Sequence, residues 1–237
     1  NLPYDVVVER LHIEEPEPPA PVTEPEKTFE EVLDEHPVSI QVNGQWQTFP
    51  NAKAAEEASY EEYKANLRRN AKNFRITDEH LGEGGPKAKF QANVNAIRLL
   101  KELEAAGQQA SPEQQEVLSR YVGWGGLSDA FDPEKPAWAL EYAQLKELLT
   151  PEEYAAARSS TLNAHYTSPT VIRAIYEAVD RMGFETGNIL EPSCGVGNFF
   201  GMLPEEMRNS RLYGVELDPI SGRIAKQLYP KADITVG

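Results

Sequence analysis

Residues 188–236 switch hydrophobic period repeatedly, and this alternation constrains the fold more than any other feature of the 237-residue chain. Ile189-Leu190-Glu191 is a short apolar run that ends in the turn Pro192-Ser193-Cys194-Gly195-Val196-Gly197-Asn198. The pattern predicts a helix from about residue 197, a strand over 211–216, a helix over 219–229 and a strand over 233–236. Strands that alternate with helices imply a parallel sheet joined by right-handed crossovers, so the expected class is α/β. Gly195 and Gly197 lack a Cβ, which lets the backbone bend sharply and approach a ligand. Glu216 lies 21 residues beyond Gly195, at the end of the next strand. Two carboxylate oxygens there match the cis-diol of a ribose, the arrangement of a nucleoside pocket in a doubly wound sheet. Phe200 stands where a dinucleotide fingerprint has its third small residue, which argues for a ligand without a pyrophosphate.

Upstream, the chain divides by composition. Residues 1–13 alternate like a strand at the end of a preceding domain, and residues 14–37 form an acidic Pro/Glu-rich linker. Residues 38–50 read as a β-hairpin about Asn43-Gly44, a pair suited to a tight primed turn. Residues 51–162 read as a mostly helical region. Its helices are expected over 52–69, 90–106, 111–122, 136–149 and 151–158, with a Gly-rich loop at 80–86. Residues 163–237 are expected to form a partial ligand-binding domain that opens with a helix over 169–182. Ser168 and Pro169 mark its start, and Val171, Ile172, Ile175, Val179 and Met182 are its expected buried stripe.

The formal charge is −15, but it is unevenly spread: residues 1–62 hold 15 acids against 3 bases, and the remainder 23 against 20. Arg68, Arg69, Lys72, Arg75, Lys87 and Lys89 cluster without acids between them over 64–75 and 87–101 and are candidate DNA contacts, although a solvated helix face explains them as simply. Cys194 is the only cysteine, which excludes an internal disulfide or a thiolate metal cluster and fits a cytoplasmic setting. The four histidines include no pair at i, i+4, so no metal site is expected. Cys194 reads as a packed residue rather than a nucleophile, and Trp124 as a plug between helices or, alternatively, a stacking surface for a base.

The stretch 191–199, with Val215-Glu216-Leu217-Asp218-Pro219 and His165-Tyr166-Thr167-Ser168-Pro169, resembles motifs I, II and X of gamma-type S-adenosylmethionine-dependent adenine-N6 DNA methyltransferases. The resemblance implies the first half of a Rossmann-like methyltransferase sheet. It implies cofactor binding by Tyr166, Thr167, Glu191, Ser193, Cys194, Gly195, Gly197, Asn198, Glu216, Leu217 and Asp218. Thr167 would help hold the methionine carboxylate and Glu216 the ribose. Segments at 73–77, 81–85 and 121–127 resemble large methylase–helicase proteins of bacterial conjugative elements, which implies double-stranded DNA, the remainder of a methyltransferase and a helicase region as partners. The family's Asn/Asp-Pro-Pro-aromatic segment, which grips the target amine, does not occur in this sequence, so no catalytic residue is assigned and the chain alone is expected to be inactive. Two alternatives stay open: a methyltransferase on another amine, such as a protein Gln or an RNA base, and a non-catalytic assembly or DNA-loading module.

Overall fold

A computed structural model describes residues 36–237, with the backbone alone for residues 63–70. The strand expected at 1–13 and nearly all of the linker lie outside the described residues. Two compact units meet in sequence between Tyr63 and Lys64.

The first unit carries the hairpin. Strands β1 (Val38–Val42) and β2 (Gln45–Phe49) pair antiparallel, with Val38 opposite Phe49. Asn43 and Gly44 take φ of 52° and 74°, the two positive values a primed two-residue turn needs. Helix α1 (Ala52–Asn70) follows, capped by the Asn51 side chain, which accepts the Ala54 N–H at 2.9 Å.

The second unit begins with helices α2 (Pro86–Ala105), α3 (Pro112–Ser119), α4 (Ala139–Leu148), α5 (Pro151–Ser160) and α6 (Pro169–Arg181). Capping boxes at Ser111/Gln114 and Thr150/Glu153 start α3 and α5. α2 begins a turn earlier than the apolar pattern predicts, because Gly85 is extended and Pro86 sets the first helical residue. α3 ends at Ser119 rather than 122, because Tyr121 and Trp124 leave the helix to enter an aromatic cluster. Trp124 is fully buried, edge-on to Phe131 at 5.3 Å and to Phe90 at 6.1 Å, so it plugs the helix junction and offers no stacking face.

The sheet follows as β3 (Asn188–Glu191), α7 (Asn198–Gly201), β4 (Arg211–Glu216), α8 (Pro219–Leu228) and β5 (Asp233–Val236). The strands are all parallel in the order β3-β4-β5. Glu191 pairs with Gly214, so β4 reaches two residues beyond β3 and ends on Glu216, opposite Val236. Asp233 opens β5 instead of ending it. Ile220, Ile224 and Leu228 of α8 are buried in the same apolar core as Phe90, Val94, Ile97 and Leu100 of α2. Each such side chain contributes about 1.5–3 kcal/mol on burial. A polar clasp spans the same helices. Lys101 of α2 and Arg223 of α8 both hold the buried Glu153 of α5 at 2.7 Å, and Arg223 also grips Glu104.

Two expectations are corrected. The buried stripe of α6 is Pro169, Ile172 and Tyr176, with Val179 partly covered, whereas Val171, Ile175 and Met182 are exposed. The expected stripe merged two helix faces; the i, i+4, i+7 series from Ile172 is the one that packs. The helix after the glycine turn is a single turn, Asn198–Gly201, because Pro204 and a short 3-10 segment (Glu205–Met207) follow. So short a helix has little dipole, and the turn's own backbone carries whatever ligand contact exists there.

Candidate functional site

The ends of β3 and β4 open into a cavity of about 660 Å³, within the range of small-molecule sites. Of the expected ligand residues, Glu191, Ser193, Cys194, Gly195 and Asn198 line it from the turn after β3. Glu216, Leu217 and Asp218 line it from the end of β4, and Tyr166 and Thr167 from the segment before α6. Three stretches far apart in sequence therefore meet at one place. Gly197 does not line it: a Cβ there would lie 2.4 Å from the Tyr229 ring, so this glycine serves packing beneath the turn.

Glu216 builds the turn as well as bordering the cavity. The Gly195 N–H donates to its Oε2 at 2.6 Å and the Asp218 N–H to its Oε1 at 2.8 Å. A carboxylate offers about four acceptor positions, so both oxygens retain capacity for a diol. Gly195 has φ of 55°, and a Cβ on it would sit 2.6 Å from Tyr166 Cε1. The opposite edge of that ring meets Gly123, where a Cβ would lie 2.5 Å from Cε2. The Tyr166 ring is thus held between two bare backbones, and its hydroxyl shares a 2.9 Å hydrogen bond with Ser221 of α8. Asp218 accepts the Ser221 N–H at 2.7 Å and caps α8.

The electrostatics of the cavity are one-sided. Among the described residues it is lined by the carboxyl groups of Glu191, Glu216 and Asp218 and by no lysine or arginine. Burial raises the pKa of the half-buried Glu191 carboxyl above its ordinary value. Burial, then the charges of Glu216 and Glu191, push the Cys194 thiol up to about 12. Cys194 is therefore a packed thiol, with Sγ 3.0 Å from where a Gly214 Cβ would stand, and a poor nucleophile. Burial also raises the pKa of the Tyr166 phenol, which stays neutral.

The opposite wall escaped the sequence reading. Tyr121, Gly123, Ala156, Ser159 and Ser160 line the cavity from the helical region, and Asn163 from the turn just after it. A signal was present: Ala156, Ser159 and Ser160 are small residues at i, i+3 and i+4, one face of α5 that leaves room for a ligand. The loop that follows α3 is drawn in by direct backbone approach. A Cβ at Gly125 would lie 2.1 Å from the Ala164 carbonyl oxygen, and the Gly126 N–H donates to Thr161 O at 3.1 Å.

The candidate DNA contacts are scattered. Arg75 donates to the Leu203 carbonyl. Lys87 donates to Glu141 and to the Ala137 carbonyl and lies over the Trp138 ring at 4.0 Å. Lys72 is exposed, and Lys89 borders a neighbouring cleft beside His165 and Tyr166. The side chains of Arg68 and Arg69 lie outside the described residues.

Two curated proteins resemble the chain. One, named Defense against restriction protein B, from Escherichia phage P1, is 24% identical over 155 residues, 65% of this chain and 5% of that protein. The other, named Type II methyltransferase M.CvrRI, from Paramecium bursaria Chlorella virus XZ-6E, is 49% identical over 43 residues, 18% of this chain and 11% of that protein. The chain thus spans only a small fraction of the length of either relative. No family model matches it, and no solved structure matches it. A short stretch of methyltransferase-like sequence is what these similarities establish. No helix among the described residues is long and apolar enough to cross a membrane.

Proposed function

We propose that residues 163–237 bind S-adenosylmethionine as part of a DNA methyltransferase that acts on adenine N6, in a Rossmann-like arrangement whose first three strands are β3, β4 and β5. The observation that carries this reading is the cavity itself: a bare-backbone turn, a strand-end carboxylate and a Thr-bearing segment converge on one acid-lined space. Three carboxyl groups, with no lysine or arginine among the described residues that line the cavity, suit a ligand with cationic groups and disfavour a phosphate-bearing nucleotide. They agree with Phe200, buried where a pyrophosphate site needs a small residue.

In this reading the Glu216 carboxylate accepts the ribose hydroxyls while it keeps the turn in place through Gly195 and Asp218. The exposed Leu217 covers one face of the base. Thr167 and the 193–195 backbone face the amino-acid end, with the half-buried Glu191 carboxyl placed to meet a cationic group there. The bound sulfonium supplies an already activated methyl group. The chain's part is to hold the nucleoside in one orientation with its reactive end toward the open side of the cavity. A base inside a duplex is out of reach of such a site and would have to be extruded to meet it. Residues that hold the target amine, and any helicase region, belong to the longer protein in this reading.

Thermal unfolding with S-adenosylhomocysteine tests it. A ligand that binds only the native state at a hundred times its Kd adds about 2.7 kcal/mol. The wild-type chain is expected to gain several degrees in Tm, and Glu216→Gln to lose most of that gain while remaining folded. No gain for wild-type protein at millimolar ligand would refute nucleoside binding. The 237 residues alone are expected to give no methyl transfer to duplex DNA.

A further inference from the structure

We propose that the amino-acid end of the bound molecule reaches past Thr167 into the cleft beside the nucleoside cavity, where the Lys89 ammonium of α2 takes its carboxylate. The inference deepens the nucleoside reading and rests on it. The ligand of that reading carries a carboxylate on its tail, and a carboxylate needs cationic or N–H partners once it leaves water. The nucleoside cavity is poorly suited to supply them. Among the described residues its charged side chains are those of Glu191, Glu216 and Asp218, all of the wrong sign. Like charges repel most where water is partly excluded, so the tail's carboxylate is driven away from these three.

The adjoining cleft has what the cavity lacks. It measures about 310 Å³ and shares a wall with the cavity: Tyr121, Ala164, His165, Tyr166, Thr167 and Asn198 line both. Thr167 and Asn198 thus border the two spaces at the end assigned to the amino acid. The carboxyl and amino side chains that line the cleft are those of Glu79, Glu83 and Lys89. Both acids are engaged, Glu79 with Arg173 and Glu83 with His80, each at 3.0 Å. The half-buried Lys89 has no side-chain ion pair or hydrogen bond among the described residues. Lys87, by contrast, is held by Glu141 and the Ala137 carbonyl and lines neither space.

The helix directs Lys89 toward the shared wall. Lys89 and Asn93 are four residues apart and so occupy one face of α2. The buried Asn93 amide donates to the Gly123 carbonyl at 2.6 Å and accepts the Val122 N–H at 2.9 Å. That face is therefore tied to the loop that packs against Tyr166. Lys89 stands one turn nearer the helix start, the direction in which helical side chains lean, so its stem runs into the cleft bordered by Val122 and the 164–167 segment. A zwitterionic tail then meets opposite charges on the two sides of Thr167, the Glu191 carboxyl in the cavity and the Lys89 ammonium in the cleft.

Calorimetric titration into the full chain decides the matter, with S-adenosylhomocysteine and its decarboxylated analogue, which keeps the amine and lacks the carboxylate, as the two probes. Wild type, Lys89→Met and Lys87→Met are compared, and the Tm of each ligand-free protein is recorded to show that it is folded. Lys89→Met is expected to weaken S-adenosylhomocysteine about tenfold, the worth of one hydrogen bond to a charged group, and to leave the decarboxylated analogue unchanged. Lys87→Met, which removes an equal charge two residues away, is expected to leave both affinities unchanged. Unaltered S-adenosylhomocysteine affinity in Lys89→Met, an equal loss for both probes, or the same loss in Lys87→Met would overturn the carboxylate contact. Failure of the wild type to bind either probe would instead overturn the nucleoside reading, and the Lys89 contact with it.

Discussion

Replacing Gly195 with alanine tests how the turn is held. A left-handed φ of 55° costs a non-glycine residue about 1–2 kcal/mol. The new methyl would also lie 2.6 Å from Tyr166 Cε1 and 3.2 Å from Cδ1, well inside van der Waals contact. The ring cannot slide away, because Gly123 meets its other edge and Ser221 holds its hydroxyl at 2.9 Å. Displacing it forfeits that hydrogen bond, about 1 kcal/mol, and some packing. The sum is about 3 kcal/mol. Gly126→Ala is the control: its φ of 74° is equally left-handed, but nothing lies within 4 Å of the added methyl, so only the backbone cost of about 1–2 kcal/mol applies. In a unit of this size each 1 kcal/mol lowers Tm by about 2–4 °C, so thermal and urea unfolding should separate the two variants by several degrees. Equal losses would refute the clamped-ring explanation and leave only the backbone angle.

Other substitutions probe independent parts of the structure. Burial pushes the Glu153 carboxyl up, yet hydrogen bonds from Lys101, Arg223 and the Thr150 N–H outweigh it and hold the carboxyl below its ordinary value. Glu153→Ala should cost about 3 kcal/mol in urea unfolding at neutral pH. That contribution is present above the ordinary carboxylate range and is lost as pH falls below it, so a loss that persists unchanged in acid would count against the clasp. Glu191 has the opposite sign: its raised pKa means that the folded state holds its proton longer, so stability falls as pH climbs through the raised value. Glu191→Gln should therefore raise the Tm of the ligand-free protein at neutral pH and have no effect in acid, while it weakens S-adenosylhomocysteine; a lower Tm at neutral pH would contradict the burial effect. Phe90→Ala, which removes a 2%-exposed ring packed edge-on to Trp124 and Trp138, should cost about 3–5 kcal/mol.

Much of the sheet was legible before any coordinates. The strands over 211–216 and 233–236 occur where the apolar runs predict them, and the Gly195-to-Glu216 spacing brings both residues to one cavity, since the period of a parallel unit is set by local geometry. The Asn43-Gly44 hairpin was equally plain because a primed turn selects its residues. What stayed hidden depends on tertiary partners. Val171, Ile175 and Met182 are as apolar as Ile172, and only packing decides which face of α6 turns inward. The α5 wall of the cavity carries no chemical motif, only small side chains. Arg75 and Lys87 looked available in a basic run, but the carbonyls and carboxylate that occupy them come from elsewhere in the chain.

The structure of the chain crystallised with S-adenosylhomocysteine bears on the central claim most directly. The nucleoside is expected between the 193–195 turn and β4, with both ribose hydroxyls on the Glu216 carboxylate and the amino-acid end toward Thr167. A nucleoside seated elsewhere, or one whose ribose faces away from Glu216, would contradict the reading of this cavity as a cofactor site.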